Sequence, residues 1–250
     1  MTGALVAVVA HPDDESLIAG GTLALAARAG TPTGVVSLTR GEHGPISDPE
    51  LAVREQLGEV RERELRAAAH ELGVGWTACL RHPDGELPWV DHDAAAAELV
   101  ALLDPHAPAA VLSFGADGLY GHPDHVAARD IAELALDRLS GEVALYEAAW
   151  PPHLVEEMAA AAAERGLPTG LWGLEPEAFG YGDATPTVVL DVRGVLSRKL
   201  AALRAHRTQL GAEHLLAALP DDLAVRFLAT EPWAGPPHGR ALETLLGLDD

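Results

Sequence analysis

Apolar residues along the chain fall into short β-branched runs separated by longer stretches in which they recur every three or four positions. Gly3 to Ala10 is one such run, as expected for a strand buried on both faces, and Leu17 to Ala29, closed by Gly30, has the spacing of a small-residue helix. The alternation continues. Val35 to Thr39 predicts a strand, Pro49 to Leu72 with Gly73 behind it a long helix, and Trp76 to Arg81 a third strand. Asp91 is placed to cap an Ala-rich helix to Leu103, Ala109 to Phe114 reads as a strand, Pro123 to Leu139 as a helix and Val143 to Ala149 as a fifth strand. Strands alternating with helices imply βαβ crossovers and an α/β fold: a Rossmann-like, doubly wound, mostly parallel sheet with helices on both faces. After Trp150 the pattern loosens into a helix from Pro152 to Arg165, a Gly/Pro-rich stretch to Pro186, a strand from Thr187 to Val192 and helical sequence to about Leu228. We expect one domain over 1–250, with a core of about 1–150 and a C-terminal α/β extension of about 151–250 packed on the sheet.

Composition then removes several classes of function. The 38 acidic and 17 basic residues give a formal charge of −21, and phosphate backbones and anionic membranes repel so negative a chain. The partner expected is a small molecule, with no nucleic acid and no membrane, and self-association is left open. With a single cysteine, Cys79, neither a disulfide nor a thiolate metal cage can form within the chain, so a metal site has to use His and carboxylates. MTGALVAVVA has no basic leader and meets His11 and Pro12 too soon for a signal peptide, which makes the cytoplasm the expected location.

The polar residues cluster where chemistry is expected. Ligands of open parallel sheets bind beyond the carboxyl ends of the strands. Those ends carry His11-Pro12-Asp13-Asp14-Glu15, Arg40-Gly41-Glu42-His43, His82-Pro83-Asp84-Gly85 and Asp117 to His125, and the tripeptide His-Pro-Asp occurs three times among them. His11 with Asp13 and Asp14 on one turn, and His122 with His125 on another, supply the N and O donors of a divalent metal site with a position open for water. Two adjacent aspartates on one turn cannot both reach one ion, so one is expected to ligate and the other to act as base. The remaining histidines (His43, His70, His92, His106, His153, His214 and His238) have no partner at motif distance and read as structural, as does Cys79 in a strand. No Gly-x-Gly-x-x-Gly follows the first strand, Gly20-Gly21 falls inside a helical stretch, and Walker-type and Gly-x-Ser-x-Gly signatures are absent.

Ala10-His11-Pro12-Asp13-Asp14-Glu15 and Tyr120-Gly121-His122-Pro123-Asp124-His125 resemble the two signature motifs of the LmbE-like, or PIG-L, zinc-dependent N-acetylglucosaminide deacetylases. Supporting matches run through Leu38 to Glu42, Leu57 to Leu65, Asp84-Gly85 and His206 to Gln209, so the resemblance covers about residues 3–210. It implies Zn²⁺ held by His11, Asp14 and His125, although Fe²⁺, Co²⁺ or Mn²⁺ suit the same donors. It implies Asp13 as general base, Tyr120 and a protonated His122 as donors to the developing oxyanion, and Asp13 or His122 as the acid for the departing amine. By the same resemblance Arg61 and Asp84 contact sugar hydroxyls, whereas helical spacing alone offers Arg61 an ion pair with Glu64. His206 and Gln209 line the pocket in one reading and only pack a helix in the other. The function expected is removal of an N-acyl group, N-acetyl above all, from an amino-sugar-containing small molecule. Amide cleavage in a larger glycosylated or thiol conjugate, and sugar binding without turnover, are the alternatives.

Overall fold

The computed structural model describes residues 3–180, 182, 184–236 and 240–248; His238 lies outside the described residues. The strands are β1 (Ala4–Val9), β2 (Thr33–Ser37), β3 (Trp76–Cys79), β4 (Pro108–Ser113), β5 (Ala144–Ala148), β6 (Val188–Asp191) and β7 (Thr230–Ala234). They form one sheet in the order β3-β2-β1-β4-β5-β7-β6. The first five in that order run parallel, as the alternating pattern predicts, and β7 lies antiparallel between β5 and β6. All six residues of β1 are buried, which explains an uninterrupted apolar run where a one-sided sheet would alternate.

The helices are α1 (Asp14–Ile18), α2 (Gly20–Ala29), α3 (Leu57–Leu72), α4 (His92–Leu103), the one-turn α5 (Gly118–Gly121), α6 (Pro123–Leu136), α7 (Leu154–Ala163), α8 (Leu196–Ala205), α9 (Leu215–Ala218), α10 (Asp221–Leu228) and α11 (Arg240–Leu245). α3 and α2 pack against α8, and α4 packs against α6. The Asp91 side chain accepts from the Ala94 N–H and so caps α4 as expected. Gly30 and Gly73 end α2 and α3 in the left-handed conformation, the usual glycine stop.

Three expectations change. The helix expected from Leu17 breaks at Ala19, and α2 starts anew at Gly20 because a carboxylate arrives there from β7: Glu231 accepts from the N–H groups of Gly21 and Thr22, both at 2.7 Å. Gly21 itself is required by the close approach of Val192, whose Cβ would lie 2.6 Å from an added methyl. The helix expected from Pro49 begins only at Leu57. Asp48 instead closes a local turn by accepting from the Glu50 N–H, and Arg54 donates to the carbonyls of Glu42 and Gly44, holding the segment against the loop after β2. β7 and α11 were not expected at all.

Candidate metal centre

Beyond the ends of β1, β2, β3 and β4 the polar loops converge on His11. Its backbone N–H donates to Asp14 Oδ2 at 2.8 Å, folding the His-Pro-Asp-Asp turn over the first residues of α1. Asp13, the hinge of that turn, has φ 124°, a region that side-chain-bearing residues rarely enter. Three contacts hold it there: its N–H donates to Glu15 Oε2 at 3.0 Å, Arg61 donates to the Pro12 carbonyl at 2.6 Å, and the same guanidinium nitrogen lies 3.2 Å from Asp13 Oδ2. The two adjacent aspartates therefore face different partners. Asp14 turns towards His11 and His125, and Asp13 towards Arg61.

His11, Asp14 and His125 bring one potential ligand atom each to within 4.8 Å of one another, and all three residues are buried. His125 Nδ1 faces the Gly118 carbonyl oxygen at 3.1 Å, so Nδ1 carries the ring proton and Nε2 presents a lone pair. That Nε2 is buried without a hydrogen-bond partner, 3.3 Å from Asp14 Oδ1. An orphaned, buried lone pair beside a carboxylate is what a metal ligand looks like without its ion. His11 Nε2 lies 3.1 Å from Asp84 Oδ1 and 3.2 Å from Asp124 Oδ2, which leaves Nδ1, the nitrogen beside Asp14, as its donor atom. The residues present thus fit a divalent cation.

Burial sets the protonation states, and charged neighbours correct them. Burial raises Asp13 to about 6, with the Arg61 charge pulling the other way. Asp14 is driven well below the carboxylate range because the His125 and His11 rings outweigh its desolvation. Burial disfavours a charged His11, yet hydrogen bonds donated by its ring to the carboxylates of Asp124, Asp14 and Asp84 overcome it and raise its pKa. Burial, with Asp14 nearby, pushes the Tyr120 phenol far above its ordinary value, keeping it a neutral O–H donor. Burial, above all, pushes His122 down to about 4, which favours a neutral ring where the resemblance implies a protonated one. Its Nδ1 accepts from the Asp124 N–H at 3.2 Å, which leaves the proton on Nε2.

These side chains line a cavity of about 330 Å³ that includes Asp13, Asp14, Arg61, Asp84, Tyr120 and His122. Arg61 does not pair with Glu64; Glu64 instead binds Thr208 through its N–H (2.8 Å) and hydroxyl (2.6 Å), docking the 206–209 segment on α3. That segment brings Gln209 to the cavity wall and His206 beneath it, where the fully buried His206 ring meets Glu15 Oε1 at 2.8 Å. His43, expected to be structural, lies in the cavity wall and holds Asp84: its N–H donates to Oδ2 at 2.7 Å, and its Nδ1 lies 2.8 Å from the Asp84 carbonyl oxygen. Sequence reasoning also missed Asp124, which accepts from the Gly85 and Leu87 N–H groups as well as facing His11. The thrice-repeated His-Pro-Asp was the available signal. Two of its aspartates, Asp84 and Asp124, meet His11 and the third, Asp13, faces Arg61, whereas His82, the histidine of the second copy, turns away to Glu98.

The sequence profile of PIG-L, described as GlcNAc-PI de-N-acetylase, matches residues 6–136, just over half of the chain. A curated protein of Acidothermus cellulolyticus named 1D-myo-inositol 2-acetamido-2-deoxy-alpha-D-glucopyranoside deacetylase is 34% identical, covering 92% of this chain and 88% of its own. A protein of the same name from Actinosynnema mirum is 36% identical over 98% of this chain and 96% of its own. Among solved structures, the 4-carboxy-2-hydroxymuconate hydratase GalB of Pseudomonas putida KT2440 superposes with a TM-score of 0.65 at 22% identity, covering 94% of this chain and 96% of that one. That likeness speaks for the fold alone, and reaction type has to be argued from the site. On its motifs and its relatives, the chain belongs to the PIG-L family of de-N-acetylases.

Proposed function

We propose that this chain hydrolyses the N-acyl amide, most simply N-acetyl, of an amino-sugar-containing small molecule. The observation that carries the reading is the division between adjacent aspartates, Asp14 between His11 and His125 and Asp13 on a clamped turn in the cavity wall. His11, Asp14 and His125 hold the divalent ion, which we take as Zn²⁺, though this donor set also accepts Fe²⁺, Co²⁺ or Mn²⁺. Bound there, the ion supplies Lewis-acid polarisation and a more acidic water.

Asp13 takes the proton from the attacking water. Raised to about 6, its carboxylate is mostly ionised at neutral pH and still basic enough to hold that proton until the amide nitrogen needs it. Arg61 keeps Asp13 in place and, with Asp84, meets the sugar hydroxyls; both line the cavity, and a carboxylate oxygen already accepting one hydrogen bond has room for another. Tyr120 O–H and neutral His122 Nε2–H serve as donors to the carbonyl oxygen as negative charge gathers on it. The C–N bond breaks, the acyl group leaves as a carboxylate, and the nitrogen stays on the sugar as an amine. In this reading the substrate is a small cytoplasmic glycoside, neither nucleic acid nor a membrane lipid.

The test is amine release from methyl and inositol-linked N-acetylglucosaminides by zinc-loaded protein, wild type against Asp13→Asn. Asparagine tolerates the left-handed backbone better than most residues. We expect kcat to fall by about 10²–10⁴ with the bound-metal ratio unchanged. Equal turnover by the variant, or no amine from wild type, refutes the reading.

A further inference from the structure

Asp13 reaches the cavity on a backbone conformation, φ 124°, that a residue with a side chain enters only when its surroundings impose it. Its backbone groups show how. The carbonyl accepts from the N–H groups of Ser16 and Leu17 at 3.1 and 3.2 Å, tying it to α1, and the N–H donates to Glu15 Oε2 at 3.0 Å. Glu15 is fully buried, so the inward-turned N–H depends on that carboxylate for its acceptor.

Glu15 is itself held from behind. Its other oxygen, Oε1, accepts from the Ser16 hydroxyl at 2.5 Å and lies 2.8 Å from Nε2 of His206, 191 positions further along the chain. His206 follows the last residue of α8, which packs on α1, α2 and α3. Its carbonyl accepts from the N–H groups of Gln209 and Leu210 at 3.0 and 2.9 Å, and Thr208 beside it is docked on Glu64, so the ring has a fixed seat. Arg207 and Gln209 line a neighbouring cavity of about 610 Å³ together with Trp172 and His214, and Gln209 also lines the cavity of about 330 Å³. Fully buried His206 and Glu15 line neither, and both stand outside the His11, Asp14 and His125 group. What they reach is the Asp13 N–H.

We propose that His206 is a positioning residue for Asp13: through Glu15 it fixes the inward-facing Asp13 N–H and so the direction in which the Asp13 carboxylate faces the attacking water. This rests on Asp13 being the base, as proposed above, and adds that the base is aimed from the C-terminal extension.

The test measures kcat and KM for the methyl and inositol-linked N-acetylglucosaminides, with rates counted per bound zinc, in His206→Leu, His206→Gln and Ser16→Ala. Leucine fills the space without a donor, whereas glutamine carries an amide N–H to about where Nε2 stands. His206→Leu should lower kcat at least about tenfold with KM and the bound-zinc ratio unchanged, and His206→Gln should return it to within about threefold of wild type. A residue that only supports the fold would reduce the yield of folded protein and leave kcat per zinc as it was. That outcome, or an equal loss in the leucine and glutamine variants, overturns the proposal. Should His206→Leu not fold, Ser16→Ala decides: removing that donor to Oε1 should lower kcat about threefold at constant KM, and an unchanged kcat overturns the proposal. If wild type releases no amine, the deacetylase reading fails on its own, and crystal structures of wild type and His206→Leu, or of Ser16→Ala in its place, decide this one. Residue 13 leaving positive φ in the variant supports it, and the same φ in both overturns it.

Discussion

Two clusters of buried charge lie within this fold, and they are finished differently. At the start of α2, Lys199 and Glu231 are each 2% exposed and meet at 2.6 Å. Glu231 is further saturated by the N–H groups of Gly21 and Thr22 and the Thr22 hydroxyl. Around His11, in contrast, the carboxylates of Asp14, Asp84 and Asp124 crowd together, Asp13 beside them faces Arg61, and His125 Nε2 and Arg61 Nε have no hydrogen-bond partner among the described residues. Both clusters carry the desolvation penalty of buried ions. Only the first is satisfied by the chain alone. A helix N-terminus can bind a phosphate, but the one at Gly20 is filled by the protein's own carboxylate, whereas the His11, Asp14 and His125 group could still hold a metal ion.

The comparison breaks first at Lys199. Lys199→Met strips Glu231 of its cation and should cost about 3–5 kcal/mol in denaturant unfolding, while chelator competition shows unchanged metal affinity. A loss of metal affinity in step with stability would mean that the two clusters are not separate. Asp124→Asn sharpens the other side, because Asp124 faces His11 Nε2 from outside the His11, Asp14 and His125 group proposed to hold the metal. Metal affinity should fall about 10–100-fold, with a smaller change in stability of the metal-free protein. The smallest effect concerns acid. The folded pKa of His214, about 4, lies below its ordinary 6.5, so the unfolded chain takes up a proton that the folded one refuses. Its contribution is intact above about pH 6.5 and declines as the pH falls towards 4, a loss of about 2 kcal/mol by pH 5. Unfolding midpoints at pH 7 and pH 5 should therefore differ less in His214→Phe than in wild type.

The parallel half of the sheet and the turn after β1 were legible because they depend on local signals: apolar runs, Gly stops, and His-Pro-Asp at strand ends. What could not be read depends on distant residues. Ala19 breaks a helix because Glu231 is more than two hundred positions away along the chain, and no window of sequence contains both. β7 carries Pro232, which argues against a strand; it is accommodated because the Pro232 carbonyl accepts from Ala149 while β5 pairs only with Trp233 and Ala234. His43 was invisible as a site residue for the same reason: it acts on a carboxylate, Asp84, that a loop brings to it.

The residues proposed to hold the metal, His11, Asp14 and His125, fall within the 6–136 stretch that the family profile matches, whereas Trp172, Arg207 and His214 come after that stretch ends. The residues proposed to hold the metal and those lining a neighbouring cavity of about 610 Å³ thus lie in separate stretches of the chain, so that substitution downstream of about residue 150 can reshape the space beside the metal-holding set and leave that set unaltered.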